Sequence, residues 1–139
     1  MMPDETFTLV YDDVPKSINA GGGGSRKNHF ASHRDKMRWE GIFGYLFMAA
    51  KVPKPLGFTR VTVELQFRDR RRRDAENFRQ PVIKPLLDAM TKGGWLEDDT
   101  EDFVQVERVY LIDEPLKDAS PLTKARMTIT IQATNTGAS

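Results

Sequence analysis

The stretch Thr59–Phe67 alternates strictly, with Val61, Val63, Leu65 and Phe67 on one side and Arg60, Thr62, Glu64 and Gln66 on the other. Side chains alternate across a strand with a period of two, so this segment predicts a β-strand with one buried face. Such a strand cannot stand alone. It needs hydrogen-bonded neighbours and a layer of structure over its apolar side. The rest of the chain has to supply both.

Several segments qualify. Phe7–Val10 reads as a short first strand. Met37–Ala50 places Trp39, Ile42, Phe43, Leu46, Phe47 and Ala50 at helical spacing, with Ser32 as N-cap and Asp35 in a box-like position. Gly41 and Gly44 weaken that helix inside, and Pro53 and Pro55 end it. Its aromatic side chains are expected to form core. Ile83, Leu86, Leu87 and Met90 mark a second buried helix face. Pro85 suits the first helical position, so this helix is expected to start near Lys84 and to stop at Gly93-Gly94. Pro81 predicts an irregular Phe78–Ile83 or a separate turn. Phe103–Leu111 is a further strand of mixed alternation, whose buried side the pattern leaves open. Ala125, Met127, Ile129 and Ile131 give the last strand. A flexible loop is expected at about 20–28, where Gly21 to Gly24 lack a Cβ, and a frayed tail at about 134–139. The loop lacks the strand before it and the GKS or GKT after it that a phosphate-cradling loop needs. Strand, helix, strand, helix, strand, strand fits a compact α/β or α+β single domain over 1–139.

Composition narrows the chemistry. There is no cysteine, which excludes disulfides and thiolate metal sites. His29 and His33 are the only imidazoles, which argues against a histidine-rich zinc site. No segment has the apolar length to cross a bilayer, and Met1–Val10 lacks the features of a secretory signal, so a cytoplasmic location is expected, with no membrane partner.

The net charge of +1 hides a strong segregation. Between Arg60 and Arg79 there are seven arginines against Glu64, Asp69, Asp74 and Glu76. Arg70-Arg71-Arg72-Arg73 runs directly into Asp74-Ala75-Glu76-Asn77, and Glu97-Asp98-Asp99-Thr100-Glu101-Asp102 follows after the second helix. Fixed cations hold a polyanion, and clustered carboxylates hold a hard divalent ion. Together they point to metal-assisted phosphodiester cleavage. Asp74 and Glu76 lie two apart, so an extended backbone would point both the same way.

Arg70–Asn77, followed by Lys84-Pro85-Leu86-Leu87-Asp88-Ala89-Met90-Thr91-Lys92-Gly93-Gly94-Trp95-Leu96-Glu97-Asp98-Asp99, resembles the RusA family of Holliday-junction resolvases of phages and prophages. A looser likeness runs from Val14-Pro15-Lys16-Ser17-Ile18-Asn19 through His33 to the helix containing Trp39. The resemblance implies a mixed β-sheet packed by two main helices, and a homodimer that uses magnesium, or manganese as a substitute, to cut branched DNA, especially four-way junctions. It implies catalytic metal ligands at Asp74, Glu76 and Asp99, and a functional lysine at Lys84. Asp98 ranks below these three. Arg70, Arg71, Arg72, Arg73, Asn77, Arg79, Lys16 and Lys27 are expected to contact DNA, the arginines through the backbone rather than the bases. Two departures stand out. Glu76 occupies a position that is usually aspartate, and its extra methylene moves the oxygens by roughly 1 Å. The interval from Asn77 to Lys84 is also longer than the family's, by near one helical turn. The alternatives are a branched-DNA-binding protein with impaired catalysis and a structural or regulatory phage protein.

Overall fold

The computed structural model describes residues 5–18 and 26–134, with side chains from 33 onward in the first helix. Six elements follow one another: β1 (Glu5–Tyr11), α1 (Arg26–Ala49), β2 (Phe58–Phe67), α2 (Glu76–Lys92), β3 (Val104–Leu111) and β4 (Ala125–Thr134). The strands form one mixed sheet in the order β1-β4-β2-β3. β4 is antiparallel to both β1 and β2, whereas β2 and β3 are parallel. A parallel pair needs a crossover, and α2 provides it. This is the α+β domain expected, with two main helices against a mixed sheet.

The predicted face of β2 is the buried one. Val61, Val63 and Leu65 are fully enclosed, and β4 presents Met127, Ile129 and Ile131 beside them. Trp39, Phe43 and Phe47 of α1 lie one helical turn apart and close over this surface, as do Phe78, Val82, Leu86 and Met90 of α2. Trp95 seals the end of the core. Its ring lies 5.0 Å from that of Phe47, and its indole N–H donates to the Val52 carbonyl at 2.9 Å.

β3 explains its own mixed pattern. Val61 pairs with Val106, but Thr62 pairs with Arg108, so Glu107 is an extra residue in the strand. This bulge reverses the alternation midway. Val104 and Val106 therefore share the helix-facing side with Val109 and Leu111.

Three expectations need correction. α1 starts at Arg26. Ser32 is therefore inside the helix and not its cap, and the helix takes in the last residues of the loop expected at 20–28; residues 20–25 lie outside the described residues, as do 135–139 of the expected tail. The apolar stripe ends earlier than read, because Ala50 is exposed beyond the helix end. Finally, α2 is continuous from Glu76 to Lys92, with Pro81 and Pro85 inside it. A proline removes the N–H that would bond the carbonyl four residues back. For Pro81 that carbonyl belongs to Asn77, and it accepts the Ile18 N–H at 2.8 Å instead. A distant loop thus satisfies the group that the proline abandons.

Candidate metal and nucleic-acid site

The end of β2 leads through Arg68–Arg73 into α2, and two of the predicted acidic residues, Asp74 and Glu76, sit at that corner. Ala75 is helical (φ −59°, ψ −34°), so Asp74 and Glu76 are not on an extended backbone. Their relation is that of a helix start. The Asp74 Oδ1 accepts the Glu76 N–H at 3.1 Å, and the Asp74 carbonyl accepts the Asn77 N–H at 3.1 Å. Asp74 therefore caps α2, one residue before the nominal boundary. Both carboxylates are exposed, and both carry negative charge where the helix dipole favours it. Asn77 is half-buried. Its backbone fastens the corner on both sides, to Asp74 and to Ile18, and its amide makes no hydrogen bond among the described residues.

The arginine run divides. Arg70, Arg71 and Arg72 are exposed and form no ion pair among the described residues. Arg73 is committed within the chain. It bonds Asp69 at 2.8 Å and the Arg71 carbonyl at 3.1 Å, and its guanidinium lies 3.7 Å from the centre of the Phe67 ring. The hydrogen bond from Arg73, helped by the Arg71 N–H, holds the Asp69 carboxyl below its usual range. Asp69 was not foreseen as part of this corner, because residues 69–73 are not helical and no periodic pattern marks the contact. Arg68 is also committed, donating to the carbonyls of Thr123 and Ser120 at 2.7 Å and Ala119 at 3.3 Å. Arg79 is half-buried and Lys16 exposed, neither with an ion pair among the described residues. Lys27 lies in α1, and its side chain is outside the described residues.

Asp99 is elsewhere. It is exposed on the loop between α2 and β3, with its N–H bonded to the Asp98 Oδ1 at 2.8 Å. That loop is anchored at the far end of the sheet. The Trp95 carbonyl accepts the Leu56 N–H at 2.9 Å, and the Phe103 carbonyl accepts the Thr59 N–H at 3.0 Å. The 17-residue α2, about 25 Å long at 1.5 Å per residue, therefore runs between Glu76 and the loop of Asp99. Among the described residues no three histidine, aspartate or glutamate side chains gather to hold a metal. One chain offers two separate sets of hard oxygen donors.

Lys84 projects from the outer side of α2, two turns beyond Glu76. Its ammonium lies 3.5 Å from the Asp88 carboxylate, which also holds Lys36 of α1 at 2.9 Å. One turn further along both helices, Lys92 meets the buried Glu40 at 2.7 Å. The two pairs advance in the same direction, so α1 and α2 run parallel. Lys36 and Glu40 were not singled out from the sequence, because no local pattern links them to α2.

No protein-family model matches the chain, and no curated protein is similar to it in sequence.

Proposed function

We propose that this protein is a metal-dependent endonuclease of branched DNA that works as a homodimer, the activity of the RusA-like reading. The observation that supports it is the corner at the start of α2. Two exposed carboxylates, Asp74 and Glu76, stand beside three arginines, Arg70, Arg71 and Arg72, that form no ion pair among the described residues. Surface acids have no structural need for such neighbours, and a polyanionic substrate combined with a hard cation gives both groups a role.

The length of α2 adds a condition. One chain keeps Asp74 and Glu76 away from Asp99, so a shared centre requires a second copy. A two-fold axis crossing the middle of α2 sets two such helices antiparallel. Each Asp74–Glu76 corner then comes beside the partner's 97–102 loop. Two equivalent sites also match the two strands that must be cut in a four-way junction.

The donor set suits magnesium, which takes oxygen ligands and keeps several waters. Asp74, Glu76 and Asp99 would hold it, and when bound it would lower the pKa of a water and offset charge that builds on the phosphate. The rest falls to the chain. Asp74 keeps one oxygen on the Glu76 N–H, which fixes the direction of the other. Arg70, Arg71 and Arg72 neutralise backbone phosphates and hold the strand in register. Lys84 steadies a further phosphate. The products are a 5′-phosphate and a 3′-hydroxyl.

A second reading has its own support. Asp74 already serves as a helix cap, and the acids are apart in one chain, as fits a branched-DNA-binding protein without cleavage. Cleavage and binding of four-way and linear DNA, with Mg²⁺ and with chelator, separate the two. The endonuclease gives metal-dependent paired cuts in the junction, lost in D74N and D99N while binding persists. Persistent cutting by the double variant would exclude these residues as ligands. Junction binding without cuts across Mg²⁺ and Mn²⁺ concentrations favours the second reading.

A further inference from the structure

The seam between α1 and α2 carries more positive than negative charge. Among the described residues, the ion pairs of Lys36, Lys84 and Lys92 are with Asp88 and Glu40, three ammonium groups against two carboxylates. The excess lies at Asp88. Glu40 and Lys92 form a one-to-one pair, whereas a single Asp88 carboxylate is shared by Lys36 and Lys84. Asp88 itself is largely covered, with 18% of its side chain exposed. Lys36 is 35% and Lys84 52% exposed. The anion is thus recessed, and both cations reach solvent above it.

We infer that Lys36 and Lys84 form one anion-binding site across the two helices, with Asp88 as the recessed counter-ion that positions them, and that its ligand is a phosphodiester of the nucleic-acid backbone. Two ammonium groups on one carboxylate leave one unit of positive charge without a partner among the described residues. A phosphodiester carries one negative charge and fits that deficit. The sharing also restrains two flexible side chains, which lowers the entropy lost when they take up a ligand. Lys36 thereby joins α1 to the DNA-binding surface, and this rests on the proposed DNA-binding function.

The alternative is that Lys36 only ties the helices together. Lys36→Gln and Asp88→Asn both break that tie, but only the first removes a cation. Affinity for a four-way junction is measured in chelator as a function of salt, with melting curves alongside. K36Q alters both protomers of the dimer, and is expected to flatten the plot of log affinity against log salt by about 1.8, about 0.9 for each site. Its deficit relative to wild type then shrinks about 12-fold between 50 and 200 mM salt. D88N is expected to keep the wild-type slope, and Lys36→Arg to restore it. A K36Q slope equal to that of wild type, or K36Q and D88N losing affinity alike, overturns the site. Absence of DNA binding by the wild type at low salt overturns the functional reading beneath it instead.

Discussion

Asp74 has two roles in this account, and they can be pulled apart by one atom. As a cap, it needs only an acceptor oxygen for the Glu76 N–H, which lies 3.1 Å away. As a metal ligand, it needs its charge. Asn supplies the same acceptor and ranks with Asp as a cap, whereas Ala supplies none. Asp74→Ala should therefore cost about 1 kcal/mol of stability, the usual loss for removing a cap. Asp74→Asn keeps the hydrogen bond and gives up only the attraction between a carboxylate and the helix dipole, about 0.3–1 kcal/mol at low ionic strength and less in physiological salt. For a chain of 139 residues, 1 kcal/mol corresponds to roughly 3–5 °C in Tm. Urea unfolding at constant m-value gives the stabilities, and Mg²⁺-dependent cleavage is read on the same preparations. D74N should unfold close to wild type and yet be inactive. D74A should be inactive and measurably less stable. If D74N loses as much stability as D74A in physiological salt, the Oδ1 acceptor is not what holds the turn, and the cap assignment is wrong.

Other outcomes follow from the packing and the ion pairs. A Cβ at Gly41 or Gly44 meets no atom within 4 Å, so G41A and G44A should each stabilise the chain by about 0.8–1 kcal/mol in chemical denaturation. Gly93 is the opposite case. Any side chain there would overlap the buried Trp95 ring, and G93A should destabilise by about 1–3 kcal/mol, with a change in tryptophan fluorescence. Burial raises the pKa of Asp88, but the hydrogen bond and charge of Lys36, with Lys84 behind them, outweigh it and leave the pKa lowered. A depressed carboxylate stabilises the fold above its unfolded value of 3.8 and loses that contribution as the pH falls towards its folded value. D88N should therefore show a weaker stability loss below about pH 4 than wild type in acid titrations of unfolding.

Much of the fold was legible because β2, α1 and β4 repeat at fixed periods. Trp39, Phe43 and Phe47 could only make one helix face, and Met127, Ile129 and Ile131 only one strand face. β3 resisted because Glu107 is one residue out of phase, and no local rule marks a bulge. α2 misled for a different reason. Pro81 is a sound helix-breaking signal when only its neighbours are considered. Its cost is met by the Ile18 N–H on the Asn77 carbonyl, a contact set by tertiary structure. The candidate site was legible in residue type but not in place. Asp74, Glu76 and Asp99 have the chemistry of one centre, and their separation depends on α2 running unbroken past both prolines. Arg73 looked equivalent to Arg70, Arg71 and Arg72 until Phe67 and Asp69 were seen to hold it. Lys36 on Asp88 is a contact between helices, which a one-dimensional pattern does not contain.

The most direct test of a centre shared between two copies is to mix inactive variants. D74N and D99N are combined, allowed to exchange subunits, and assayed on a four-way junction with Mg²⁺. If Asp74 and Glu76 of one protomer work with Asp99 of the other, each mixed dimer contains one intact site and one doubly altered site. The mixture should then nick junctions that neither variant cuts alone. If subunits exchange and the mixture stays inactive while wild type cuts, the acids do not meet across a dimer, and the account fails.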